Sequence, residues 1–293
     1  MEIDLVYLWV NGNDPLWAAK RDAFIGRPTQ RQENCKGRYA DSGELKYSLR
    51  SVERYAPWIR KIFIVTDNQV PEWLDTSNPR IQIVDHRDIM PAECLPCFNS
   101  IVIEYFLHRI PGLAEHFLYA TDDMYINRPV GPSDFFTPDG RPVLYMNRKP
   151  LSQYITTVQN AARLVEREYG KFYGAKLHHN IDAYTKGLFE LTHRKFGREI
   201  SAMHGHHVRH SEDVQRVLFS YVALAEGLGE LRYVGQRHSF RLHIDNRGEY
   251  AKFGKYHPTL FCMNDSEYAN DADRVAAMEF VGRLFPQKCQ FEK

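Results

Sequence analysis

Three observations predict an α/β fold with a largely parallel sheet. Short apolar runs recur and stop at polar or turn residues, amphipathic helical patterns lie between them, and the middle of the chain turns to helical periodicity. The first run, Ile3 to Val10, ends in Asn11-Gly12. Ile62 to Val65 ends in Thr66-Asp67-Asn68, Ile81 to Val84 in Asp85-His86, and Phe117 to Ala120 in Thr121-Asp122-Asp123. These runs have the length and boundaries of buried strands. Glu44 to Tyr55 and Ile101 to Arg109 read as the helices between them. In such a sheet, ligands gather beyond the carboxyl ends of the strands.

From about Leu151 the pattern predicts helices over Ile155 to Tyr169, Asp182 to Phe196 and Ser211 to Ala225. Strands return at Ser239 to Ile244 and Leu260 to Met263, followed by a helix from Asp271 to Leu284. The organisation expected is a core over residues 1–150, a helical insertion over 151–230 covering the sheet, and a return to the core over 231–293.

A chain of 293 residues is long enough to bury a substantial core without staples. Its net charge of +1 lacks the cationic excess that sequence-independent nucleic-acid binding needs, so no nucleic-acid partner is expected. The five cysteines are odd in number and scattered, which fits a reducing compartment better than a disulfide framework. Cys94 and Cys97 have CxxC spacing, but no second pair completes a zinc site. No basic n-region and no run of about 18 apolar residues is present, so a cytoplasmic protein that does not span a membrane is expected.

Several loops carry chemistry. Asp122-Asp123 follows a strand directly, where paired hard oxygen donors suit a divalent metal on a diphosphate; a simple turn is the alternative. Asn264-Asp265 has the same ambiguity. Asn11-Gly12-Asn13-Asp14-Pro15 is either a turn or the place where the sheet receives a nucleotide. His178-His179 precede an apolar helical pattern, and one of them either solvates that helix start or serves as a general base. The stretch from His206 to Gln215 packs three histidines, an arginine and two acids into ten residues. Ser211 with Glu212 and Asp213 reads as a helix cap, Arg209 and His210 beside that helix start as a phosphate site, and His204, His206, His207, His210 and Asp213 as the makings of a zinc site.

Four blocks, in order, resemble the Stealth family of sugar-1-phosphate transferases. The first is Ile3-Asp-Leu-Val-Tyr-Leu-Trp-Val-Asn-Gly-Asn-Asp-Pro15. The second runs from Glu44-Leu-Lys-Tyr-Ser-Leu-Arg-Ser51 through Ala56 to Thr66, Leu95 to Ser100 and His108 to Leu113, and closes on Asp122-Asp123. His179 with Val208-Arg-His-Ser-Glu-Asp-Val-Gln215 makes the third, and Phe261-Cys-Met-Asn-Asp265 with Phe285-Pro286 the fourth. Thr121 stands where the family usually has Asn, and Lys46 where Arg is common.

The resemblance implies a Rossmann-like, GT-A-like nucleotide-sugar-binding sheet with a helical insertion. It implies transfer of a hexose-1-phosphate, typically N-acetylglucosamine-1-phosphate, from a UDP-sugar to a saccharide acceptor with release of UMP. The alternatives are a glycosyltransferase releasing UDP and a non-catalytic sugar- or metal-binding relative. Carried onto this chain, the catalytic group would be His179 as acceptor base, Arg209 as charge neutraliser, Asp122 and Asp123. The donor would lie on Trp9, Asn11, Gly12, Asp14, Arg50, Ser51, Asn99, Ser100 and His210. Mg²⁺ or Mn²⁺ would lie on Asp123, Asp122, Asn264 and Asp265, and peripheral association with a capsule or exopolysaccharide assembly would follow.

Overall fold

The computed structural model describes residues 1–28, 34–150 and 156–293, with side chains omitted over 148–150. Strand β1 (Ile3–Leu8) lies at the centre of a five-stranded sheet. It pairs in parallel with β2 (Ile62–Thr66) on one side and β4 (His116–Thr121) on the other, while β3 (Ile81–Asp85) extends the sheet beyond β2. The order β3-β2-β1-β4 is that of the first four strands of a doubly wound sheet. β1 and β2 are buried along their whole length, because a central parallel strand is covered on both faces.

Period-two alternation divides these strands between two cores. Val6, Leu8, Phe63, Val65, Phe117 and Tyr119 face one core, and Ile3, Leu5, Tyr7, Ile62, Ile64, Leu118 and Ala120 face the other. The second core is closed by α2 (Glu44–Tyr55), which presents Leu45, Leu49 and Val52 at helical spacing. Each such buried side chain contributes roughly 1.5–3 kcal/mol. Upstream, α1 (Pro15–Ile25) starts at an Asp14 cap whose carboxylate accepts from Leu16 N at 2.9 Å.

Between β3 and β4 lie α3 (His86–Ile89) and α4 (Ser100–Glu104). The helix expected over Ile101 to Arg109 breaks after Glu104 and resumes as a 3₁₀ turn at Leu107–Arg109. After β4 the chain turns at Asp122-Asp123 into β5 (Met124–Ile126), then β6 (Val143–Pro150). β5, α1 and β6 were not foreseen from apolar patterning.

The middle segment is less helical than expected. α5 (Thr156–Tyr169) matches its pattern, although Ile155 and Leu151 lie outside the described residues. β7 (Ala175–Leu177) pairs with β6. Residues 182–185, expected to open a helix, form β8 (Asp182–Thr185), the antiparallel edge of the main sheet beside β4. The helix begins only after Thr185, whose hydroxyl accepts from Leu188 N at 3.2 Å, and runs as α6 (Lys186–Ala202). α7 (Val217–Ala225) starts six residues later than the expected Ser211. Asp213 is turned inward, Val214 N meets Met203 Sδ, and Gln215 N donates to Thr157 O, so these amides serve tertiary contacts instead of a first helical turn.

β9 (Glu230–Val234) joins β6 in a three-stranded sheet with β7. β10 (Ser239–His243), followed by α8 (Arg247–Tyr256), pairs with β11 (Leu260–Asn264), which runs antiparallel to β5. α9 (Asp271–Leu284) packs Ala277 and Val281 onto this third sheet. Among the described residues no helix is long and apolar enough to cross a membrane.

Candidate active site

The turn between β4 and β5 presents Asp122 and Asp123 at the carboxyl end of the main sheet. Asp123 is clamped: Thr121 Oγ1 donates to Oδ1 at 2.5 Å, and the buried Cys262 thiol of β11 donates to Oδ2 at 3.0 Å. Met263 N donates to its carbonyl at 2.9 Å, so β11 fixes backbone and side chain together. Thr121 thus supplies an orienting hydroxyl.

Two further carboxylates close on this pair. Asp41 and Glu44 flank the start of α2, where Glu44 Oε2 accepts from Ser42 N at 2.7 Å. Burial, then repulsion from Asp41 and Asp123, pushes Glu44 up to about 7. Burial followed by repulsion from Asp123, Glu44 and Asp41 lifts Asp122 well above the usual carboxylate range. Neighbouring acids thus add to burial at Asp122 and Glu44, whereas burial is what raises Asp41 and Asp123, and Asp41 shares a hydrogen bond with Glu44. A hard divalent ion is the partner that such an all-oxygen set suits.

The opposite wall is cationic. His179, on the turn between β7 and β8, offers a ring nitrogen within 4.8 Å of donor atoms of Asp123 and Cys262. His179 is exposed, while His178 beside it is buried. Desolvation, then Arg241, Arg216 and Arg209, hold its pKa well below the ordinary histidine value, all in the same direction. Arg209 donates to Ser100 Oγ at 2.8 Å. Arg38 lies close enough to Arg209 that burial and this neighbour push it down to about 10.

Behind His179 is a buried ionic cluster. Arg216 donates to Asp182 Oδ2 at 2.7 and 3.2 Å and approaches Glu104 Oε1 at 3.5 Å. His178 Nε2 lies 3.3 Å from Asp182 Oδ1, and Tyr119 donates to Glu104 Oε1 at 2.8 Å. His178 therefore serves the scaffold while its neighbour faces the cleft.

The predicted donor loop forms one coherent wall. The Trp9 indole donates to Asp41, and Asn11 exchanges hydrogen bonds with Gln69 at 2.9 and 3.0 Å. Gly12 N donates to Tyr39 O at 2.7 Å, and a Cβ there would come within 2.2 Å of that oxygen, so only glycine permits the approach. Asp14 is occupied as helix cap and by Gln69 Nε2 at 3.1 Å.

Several expected site residues serve other structures. Arg50 binds both Glu292 oxygens at 2.7 and 2.8 Å and the Phe285 carbonyl, pinning the C-terminal segment. Ser51 is buried, donating to Ser48 O and accepting from Ile126 N. Asn99 is fully buried: its amide donates to His206 O, Val208 O and Asp213 Oδ2, stapling the Arg209 loop. Asp265 is gripped through both oxygens by Arg274 at 2.7 and 3.1 Å. Asn264 Oδ1 accepts from Arg241 at 2.9 Å. His210 is exposed, and with α7 starting at Val217 neither it nor Arg209 stands at a helix start. Asp41, Glu44, Cys262, Arg38, Arg241 and Arg216 were missed. Glu44 opening a helix and Cys262 inside a strand each had an adequate local explanation.

Residues 1–27 match Stealth protein CR1, conserved region 1, and residues 38–144 match Stealth protein CR2, conserved region 2. The chain is 32% identical to the capsular polysaccharide phosphotransferase fcs1 of Haemophilus influenzae, over 92% of this chain and 79% of that protein. It is 32% identical to the capsular polysaccharide phosphotransferase WcwK of Streptococcus pneumoniae, over 99% of each. With the exopolysaccharide phosphotransferase SCO2592 of Streptomyces coelicolor it shares 32% identity over 99% of this chain but spans 33% of that protein. Among solved structures, the galactosyltransferase LgtC superposes with a TM-score of 0.49 at 12% identity, covering 97% of this chain and 95% of that one, a likeness too loose to argue from.

Proposed function

The chain belongs to the Stealth family of phosphotransferases, and from that premise we propose that this transferase moves a hexose-1-phosphate from a UDP-sugar to a saccharide hydroxyl, releasing UMP. N-acetylglucosamine-1-phosphate is the first candidate for the transferred group. The observation that carries this reading is the facing of two walls. Clustered carboxylates at the end of β4 stand opposite His179 and the guanidinium groups of Arg209, Arg38 and Arg241. Phosphoryl-type transfer asks chiefly for positioning and charge stabilisation, and this is such an arrangement.

In the proposed reaction the acceptor oxygen attacks the β-phosphorus, its proton passes to the neutral His179 ring, and the bond from that phosphorus to the bridging oxygen of UMP breaks. A phosphodiester to the sugar remains. A depressed pKa keeps His179 unprotonated at neutral pH, as an acceptor of that proton must be. Arg209, held at Ser100, neutralises charge on the phosphoryl oxygens, and the loop from Trp9 to Asp14 holds the nucleotide. Asp122 and Asp123, with Glu44 and Asp41 behind them, would hold Mg²⁺ or Mn²⁺, which when bound offsets charge on the diphosphate. Asn264 and Asp265, held by Arg241 and Arg274, would add oxygen donors from the end of β11. Action in the cytoplasm, beside a capsule or exopolysaccharide assembly, completes the proposal.

The test is product analysis. Incubation with UDP-N-acetylglucosamine, Mg²⁺ and an acceptor saccharide gives UMP, and EDTA abolishes it. UDP as sole product reassigns the enzyme as a glycosyltransferase, and neither product with any UDP-sugar marks a binding protein.

A further inference from the structure

We propose that His206, His210 and Glu212 form a second metal site, for a borderline transition-metal ion of the Zn²⁺ class, separate from the carboxylates at the end of β4. One donor atom of each residue lies within 4.8 Å of the other two. A four-coordinate zinc with bonds of about 2.0–2.1 Å needs ligand atoms nearer 3.4 Å apart, so a closing movement of roughly 1 Å suffices. That movement is open to the side chains concerned, because His210 is 51% exposed and Glu212 79%.

One ligand is already oriented. His206 Nδ1 lies 2.7 Å from Oδ1 of Asp213, a carboxylate with no exposed surface. The other oxygen of Asp213 accepts from Asn99 Nδ2 at 2.9 Å and from His210 N at 2.8 Å. A buried carboxylate on Nδ1 orients the ring and leaves the Nε2 lone pair for a ligand. Asp213 thus does for His206 what outer carboxylates do for zinc-bound histidines. The His206 and His210 rings stand 4.5 Å apart, and Glu212 N donates to His210 Nδ1 across a long 3.3 Å, a contact weak enough for the ring to turn.

The donor set of two imidazoles and one carboxylate favours zinc over magnesium, which prefers oxygen ligands. It has a structural consequence. Arg209 lies between the two histidines in sequence and reaches across to Ser100, so an ion bridging His206 and His210 would fix the loop that carries it.

The test uses the full chain, stripped with EDTA, desalted and titrated with Co²⁺ as a spectroscopic probe, followed by Zn²⁺ displacement. One equivalent of Co²⁺ binds with a nitrogen–oxygen spectrum that persists in Cys262→Ser, is displaced by Zn²⁺, and resists excess Mg²⁺. His210→Ala removes an exposed ring, and His206→Gln keeps a donor toward Asp213. Each weakens Co²⁺ binding about tenfold or more with an unchanged circular dichroism spectrum, the order of effect that even outer-shell changes have on metal sites. Zn²⁺ also protects His210 from diethyl pyrocarbonate, read by mass spectrometry. Parent-like affinity in both variants, loss of the signal in Cys262→Ser instead, or displacement by Mg²⁺ overturns the proposal. UMP release plays no part in the readout, so this site stands or falls separately from the proposed reaction.

Discussion

Replacing Arg216 with Met removes the one cation from a buried cluster while keeping its approximate volume. The side chains of Arg216, Asp182 and Glu104 are 9%, 5% and 5% exposed, so water cannot take over the lost contacts. Two hydrogen bonds to Asp182 and the 3.5 Å approach to Glu104 disappear, and both carboxylates stay in place. Breaking a buried ion pair by deleting one partner costs about 3–5 kcal/mol. One acid taking up a proton caps the loss near that range, and Glu104 is the candidate, since burial already raises its pKa and Arg216 restrains it. Against a typical stability of about 5–15 kcal/mol the variant still folds at 25 °C. At about 2–4 °C per kcal/mol its Tm falls by roughly 6–20 °C.

The pH dependence gives this its sign. An acid whose folded pKa lies above its unfolded value binds more protons folded than unfolded, so stability rises as pH falls through that interval. The deficit of Arg216→Met therefore narrows between pH 7.5 and pH 5. Urea unfolding of both proteins at the two pH values, with calorimetric Tm, measures it. The triple variant Arg216→Met, Asp182→Asn, Glu104→Gln recovers over half of the loss. A deficit under about 1 kcal/mol at pH 7.5, the range of exposed pairs, or a deficit that does not change with pH refutes the account.

His179→Ala lowers transfer by about 10²–10⁴-fold, the usual contribution of a positioned base, with UDP-sugar affinity by calorimetry unchanged; loss of activity through lost donor binding removes it as the base. Arg209→Lys costs about 2–3 kcal/mol in kcat/KM, because an ammonium cannot reproduce the planar fork; near-parental kinetics leave Arg209 only its bond to Ser100. Burial alone would raise Glu292, but its hydrogen bonds from Arg50 and Cys289 hold it below the usual range. Its contribution is present above a pH of about 4.3, and it is lost as pH falls through the lower folded pKa. The stability gap between the parent and Arg50→Met accordingly closes at acid pH, and a constant gap from pH 7 to pH 3 contradicts the pairing.

Much of the scaffold was written locally. The runs at Ile3, Ile62 and Phe117 became parallel strands because burial on two faces selects unbroken apolar residues, and the run at Ile81 became the half-buried parallel edge beside them. α2 and α9 kept their predicted bounds because each carries its own apolar face or cap signal. Partners distant in sequence decided the rest. Residues 182–185 have a helical neighbourhood, but the open edge of β4 offered hydrogen bonds that no sequence window contains. Ser211 looked like a cap until Asp213 found Asn99, 114 residues away, and delayed the helix to Val217. The same logic sorts the site. Asp122, Asp123, His179 and Arg209 were legible as residue types at loop positions. Which partner an acid meets depends on the charge across from it, and that is why Arg274 grips Asp265 and Glu292 occupies Arg50 while Glu44 and Asp41 lie in electrostatic reach of Asp122. Local patterning sets which backbone forms, since it acts over a few residues, whereas charge pairing acts through space and waits for the chain to close.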